Sequence, residues 1–344
     1  MTRAARRFAS TVAFVALAAH GAALADGLAL ADSPAVRCLT PAADVRGTPE
    51  YPLQLFKDGK GGKVDVELIF TTTDKRPEVK VLSSEGADSL VDAVKDHVRE
   101  FRVPCLAAAD IPVRLRQQYI FQSDKSRVTW TAPADQADPD RRSMMACVTH
   151  VRPGEKPRYP HQALHEGQSG RVLVLLRFVA ADQAPQVTTF DNGFTRTLSS
   201  DAADWAAGFR MPCHQGAPVE ASWVFDYRLA GVPAAGFRDV TLRNFVGGIK
   251  DIRGQRVFFD FNAMGCPFDV KLVYMQPHLP NKVGDLEAPR PERTAFYEWL
   301  SRAVLDLSPR QHAAVIGDSV TLAIPCTKID ITPDPAPAPK EKTS

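Results

Sequence analysis

The sequence predicts an α+β chain of tandem β-β-α-β modules, each a small antiparallel sheet packed on one helix. Three observations predict it: an internal repeat, a switch of apolar period from two to about 3.6 within each copy, and six cysteines whose sequential pairs close similar lengths of chain. Laying Tyr51 over Tyr159 aligns the chain with itself without a gap as far as Phe121 over Leu229, and 20 of these 71 positions are identical, too many for chance. Tyr51-Pro52 meets Tyr159-Pro160, and Gly62 meets Gly170. Val64, Val66, Leu68 and Phe70 meet Val172, Val174, Leu176 and Phe178. Pro77 and Val79 meet Pro185 and Val187. Phe101-Arg102 and Pro104-Cys105 meet Phe209-Arg210 and Pro212-Cys213, and Tyr119 meets Tyr227.

Each element follows from the pattern. After the matched glycine, apolar residues alternate, the signature of a strand with one buried face. A turn leads to a shorter strand near Val79 or Val187. The spacing then becomes helical: Leu90, Val94, Val98 and Phe101 share one stripe in copy one, as do Leu198, Ala202, Ala206 and Phe209 in copy two. Proline stops the helix. A last alternating strand closes each copy: Val113, Leu115, Tyr119 and Phe121 in the first, with Gln117 interrupting, and Trp223, Phe225, Tyr227 and Leu229 in the second.

The stretch 250–332 carries a third, more divergent copy. Val257, Phe259 and Phe261 alternate, Cys266-Pro267 turns the chain, and Phe268, Val270 and Leu272 alternate again. Phe296, Leu300, Val304 and Leu307 form a helical stripe before a strand from Val320 to Ile324. The predicted organisation is a leader at 1–25, modules at 38–123, 147–230 and 250–332, a polar linker at 124–146, and a Pro-rich, charged, disordered tail at 333–344.

The N-terminus places Arg3, Arg6 and Arg7 before an apolar run, Thr11 to Ala25, that ends in Ala23-Leu24-Ala25. This is the order of a secretory leader. A second small-residue site, Ala29-Leu30-Ala31, leaves the position of the cut open between the two. The rival is an uncleaved anchor, for which the run falls short of the roughly 20 residues a spanning helix needs. The expected location is the periplasm. Six cysteines permit fifteen pairings. Sequential pairing, Cys38–Cys105, Cys147–Cys213 and Cys266–Cys326, gives separations of 67, 66 and 60 residues, nearly equal in the two clear copies. An exported chain supports such bridges, and none of the cysteines forms a CxxC redox or zinc motif.

The series Tyr159-Pro160, Gly170, alternating strand, Pro185-x-Val187, helix, Phe209-Arg210-x-Pro212 resembles the TonB C-terminal domain family. Copy one matches it through Tyr51-Pro52, Gly62, Phe101-Arg102 and Pro104. The resemblance implies capture of an extended peptide segment or envelope protein by pairing at a sheet edge. It implies that the last strand offers that edge, at Trp223, Val224 and Phe225 in copy two, with Tyr51, Pro52, Tyr159 and Pro160 beside it. Family transducers carry a Ser and a His three residues apart in an uncleaved anchor and a long Pro-rich spacer. Here His20 is present, Ala16 replaces the serine, no such spacer follows, and the cysteines are not a family feature. The alternatives are an anchored energy transducer and a structural envelope protein whose edges are all covered.

Other chemistry is weakly signalled. The formal net charge is +2 and the basic residues are scattered, which argues against nucleic acid as partner. Membrane association is expected only if the leader stays uncleaved. His161 and His165 share a helical face, but copy one has Leu53 and Lys57 there, so no metal ligand is assigned. No nucleophile elbow or phosphate loop occurs. No catalytic residue and no cofactor are assigned, and the chain is read as a binding protein, not an enzyme.

Overall fold

A computed structural model describes residues 28–40, 48–123, 127–155, 157–190, 193–232, 236–286 and 290–332. The leader at 1–25, the tail at 333–344 and residues 233–235 of the second linker lie outside the described residues. The architecture is mixed α+β with several small antiparallel sheets. Three of them share a connectivity. In the first, β1 (Gly62–Phe70) is central; β2 (Glu78–Glu85) pairs on one side and, after helix α1 (Asp88–Val98), β3 (Val113–Gln122) pairs on the other. In the second, β4 (Gly170–Phe178) is flanked by β5 (Gln186–Phe190) and, after α2 (Arg196–Ala206), by β6 (Val219–Tyr227). In the third, β7 (Phe268–Val273) is flanked by β8 (Lys282–Asp285) and, after α3 (Thr294–Arg302), by β9 (Ser319–Ile324).

The first unit shows why these residues form these elements. Val64, Val66, Leu68 and Phe70 point to one face of β1 and are fully buried against Leu90, Val94 and Val98 of α1. Each such side chain contributes about 1.5–3 kcal/mol over the exposed state. Asp88 in the first turn and Lys95 in the last turn complement the helix dipole. Gly62 has no alternative: a Cβ there would lie 2.2 Å from the Glu85 carbonyl oxygen and 2.5 Å from a Leu90 methyl. Gln117, which interrupts the apolar side of β3, is buried and accepts a 2.9 Å hydrogen bond from the Tyr119 hydroxyl. Phe101 and Phe209 lie beyond their helices yet remain in the cores.

The three disulfides join Cys38–Cys105, Cys147–Cys213 and Cys266–Cys326, with Cα atoms 5.3, 6.1 and 5.1 Å apart. Units this small bury limited apolar area, and bridges over such loops stabilise by roughly 2–5 kcal/mol each. No helix among the described residues is long and apolar enough to cross a membrane. The bridges are consistent with an extracellular or periplasmic location.

Four expectations need correction. The gapless repeat breaks before the last strand: Gly62 pairs with Phe121, but Gly170 pairs with Tyr227, so Tyr227 is the structural counterpart of Phe121 and not of Tyr119. The connection from the cysteine to the last strand is two residues shorter in the second unit, and a shift of two leaves every side chain on its original face. The residues read as a polar linker instead pair with β3, through Arg127–Trp130 and Ala134–Asp135, and continue into a helix at Asp138–Met144. The second sheet is buried on both faces, because Leu173 and Val224 on its far side pack with Met275, Leu279 and Ile316. In the third unit, Val257–Asp260 does not form a hairpin with β7 across Cys266; it pairs with Lys328–Ile331. Cys266 therefore precedes the central strand, and Val304 and Leu307 fall beyond α3.

Burial of His97 between Phe101 and Tyr119 pushes its pKa from 6.5 down to about 4. The unfolded chain then takes up the proton first, so this residue's contribution is complete above pH 6.5 and is lost as pH falls toward 4. At 1.36 kcal/mol per unit, the loss is about 3 kcal/mol. Denaturant unfolding between pH 7 and 4 should therefore show a shallower acid decline for His97→Phe than for the parent; equal slopes would contradict the buried neutral ring.

Candidate functional site

A strand at a sheet edge presents unpaired N–H and C=O groups, the raw material for capturing another strand. The outer edges of β3, β6 and β9 differ in what already covers them. The edge of β3 is closed along most of its length. Arg127–Trp130 pairs with Tyr119–Gln122, and Ala134–Asp135 pairs with Leu115 and Arg116. Thr131 bridges the gap: its N–H donates to the Gln118 carbonyl at 3.0 Å, and its hydroxyl accepts from the Gln118 N–H at 3.1 Å. On the other side of that sheet, β2 is exposed and blunted by Glu78, Lys80 and Glu85.

The edge of β6 is closed at one end only. Ala29 and Leu30 pair with Ser222 and Ala221, and the Ala31 N–H donates to the Glu220 carbonyl at 3.0 Å. Among the described residues, no strand continues that pairing along Trp223–Tyr227. The side chains there are engaged in packing. Trp223 stacks on Phe225 at 5.1 Å and meets Trp205 edge-on at 5.2 Å, while Val224 packs against Gly317 of the third unit. The strand is thus core through its side chains and open only through its backbone.

Tyr51 and Tyr159 sit beside the ends of the last strands. The Tyr51 ring meets Phe121 edge-on at 5.4 Å, and Tyr159 meets Tyr227 in the same way at 5.6 Å. Their hydroxyls donate to the Lys60 and Gln168 carbonyls. Pro52 and Pro160 open the short helices Leu53–Lys57 and His161–His165. The two Tyr-Pro pairs therefore anchor the helix ahead of the central strand onto the far end of the last strand.

The edge of β9 has no strand beside it among the described residues. Val320, Leu322 and Ile324 point into the core, and Ser319, Thr321 and Ala323 are exposed. A groove of about 810 Å³ runs along this edge, lined by Phe237, Val240, Thr241, Pro267, Thr321 and Pro325, with the carboxylates of Asp239 and Asp269 at its margin. The unit behind it is held by Arg293, which is 1% exposed. Its guanidinium lies 3.8 Å from the Phe268 ring centroid, pairs with Asp285 and donates to the Met264 and Gly265 carbonyls. The sequence carried no signal for this groove or for a buried arginine.

His161 and His165 are both exposed, at the two ends of a five-residue helix. Among the described residues, no cluster of three or more His, Cys, Asp or Glu side chains could hold a metal ion. His150 stacks on Trp205 at 4.1 Å, with Nε2 2.9 Å from the Trp205 carbonyl, while His214 is buried. The chain matches no protein-family model, and searches of curated proteins and of solved structures give no match.

Gly317, at φ +71, has Val224 methyl carbons 2.6 Å from where a Cβ would stand. Gly317→Ala should combine backbone strain with displacement of Val224 and cost about 1–3 kcal/mol in denaturant unfolding. An unchanged midpoint would contradict this contact between the second and third units.

Proposed function

We propose that this chain is a periplasmic protein of three TonB-like β-β-α-β modules that recognises an extended segment of an envelope protein by sheet-edge pairing, and that β9 is the accepting strand. The observation that carries the proposal is the contrast among edges. The β3 edge is filled by the chain's own strands, the β6 edge is partly filled, and β9 has no paired strand among the described residues, only a groove and the helix Leu242–Gly247 nearby. The apolar groove wall suits alternate apolar side chains on the incoming strand, and Asp239 and Asp269 favour a basic residue at its flank. Main-chain bonds would supply affinity and the groove would supply selectivity. The shared connectivity of the three sheets, the matched Tyr-Pro anchors and the bridges support common descent of the modules. Residues around Trp223–Phe225 offer a second, shorter edge of the same kind.

A structural envelope role is the competing reading, favoured by the closed β3 edge. A photo-crosslinking residue at Thr321 separates the two. In intact cells it should give an adduct whose cross-linked peptide maps to one extended segment, and the same residue at Ser84, on the charged β2 edge, should give none. Absence of an adduct at Thr321, or equal labelling at both positions, would contradict edge recognition by β9.

A further inference from the structure

The sequence offers two small-residue sites for removal of a leader, Ala23-Leu24-Ala25 and Ala29-Leu30-Ala31. The residues between them turn out to belong to the second unit. Leu28 and Leu30 pack against the core that contains Trp205, Phe225 and Tyr227. Ala29 and Leu30 form the strand that pairs with Ser222 and Ala221, and Ala31, 7% exposed, continues it through its N–H to Glu220.

The chain then turns into the first unit through a capped joint. Ser33 is buried and its hydroxyl accepts from the Val36 N–H at 3.3 Å, starting the helix Pro34–Cys38. Arg37 on that helix donates to the Asp32 carbonyl and pairs with Glu220 at 2.5 Å, and Glu220 in turn holds Arg177 at 3.0 Å. Residues 28–31 are thus the start of a link tying β6 of the second unit to the first.

We infer that residues 28–31 stay in the exported protein, so that the leader is removed ahead of Leu28 and not after Ala31. Ala25 and Asp26 lie outside the described residues, and the inference stands on residues 28–37. A cut after Ala31 would strip the strand from β6, leave backbone groups at Glu220–Ser222 without their partners, and uncover Leu28's and Leu30's share of the core. It would also create a cationic α-ammonium on Asp32, the residue whose carbonyl the Arg37 guanidinium already occupies. A cut after Ala25 preserves all of these contacts. The retained strand also shuts one end of the β6 edge, so the exported protein leaves synthesis with that end already occupied.

This inference rests on export and not on peptide binding. The test is N-terminal sequencing, with intact mass, of the protein recovered from the periplasmic or secreted fraction. A first residue ahead of Leu28 is expected, which a cut at the Ala23-Leu24-Ala25 site gives. A first residue of Asp32 overturns the choice of site, and an uncut chain in the cytosolic fraction overturns both the site and export. A second arm places an unrelated leader directly before Asp26 or before Asp32. The chain beginning at Asp32 should melt several degrees lower, with faster exchange of the Ala221 and Ser222 amides; identical melting and exchange would show that residues 28–31 do no structural work.

Discussion

Each of the three sheets ends in a third strand whose outer backbone groups must be satisfied by protein, by a partner or by water, and much of the molecule is arranged around that requirement. The first unit closes its edge with the residues that follow it, so that the chain leaving β3 folds back as Arg127–Trp130 and Ala134–Asp135. The second borrows residues from the far N-terminus. The third pairs no further strand with β9 among the described residues. Such graded closure is what sheet proteins use against unwanted association, and an edge left open against that background is the place to look for function.

The same segments that close edges also join the units. Arg127, next to β3, donates to the Ala263 carbonyl of the third unit. Arg177 on β4 pairs with Asp110 of the first unit at 2.6 Å, and Arg171 pairs with Asp318 of the third at 3.2 Å. Partly buried pairs of this kind carry little stability of their own, but they fix orientation. The apolar contact of Leu173 and Val224 with Met275, Leu279 and Ile316 supplies the burial that the ion pairs do not. The second sheet therefore lies between its own helix on one side and the third unit on the other, and the third unit presents the open edge.

Much of this was legible in the sequence, and the failures have physical reasons. The repeat located the central strands, the helices and the matched glycine at Gly62, because those positions are constrained by contact and tolerate few residues. Sequential pairing of the cysteines followed from spacing alone. The two-residue shortening before β6 was invisible, because it preserves the facing of every side chain and the coincidence of Tyr119 with Tyr227 masked it. Alternation marked Val257–Asp260 as a strand but could not name its partner, since period reports facing and not pairing. The polar composition after Ser123 concealed two strands that pair with β3, one of which also adds Val128 and Trp130 to the first core. Arg293 sits among Pro291, Glu292 and Thr294, where a charge ordinarily reads as solvated surface, and only the fold shows it buried on Phe268.

Amide hydrogen exchange resolved by residue tests the central claim most directly. In the isolated protein, alternate amides of Ser319–Ile324 should exchange close to the unprotected rate, because they face the groove, while the amides of Leu115–Gln122 should all be slow. Uniform protection along Ser319–Ile324 in the monomer would mean that β9 is already covered, and would contradict an edge held open for a partner.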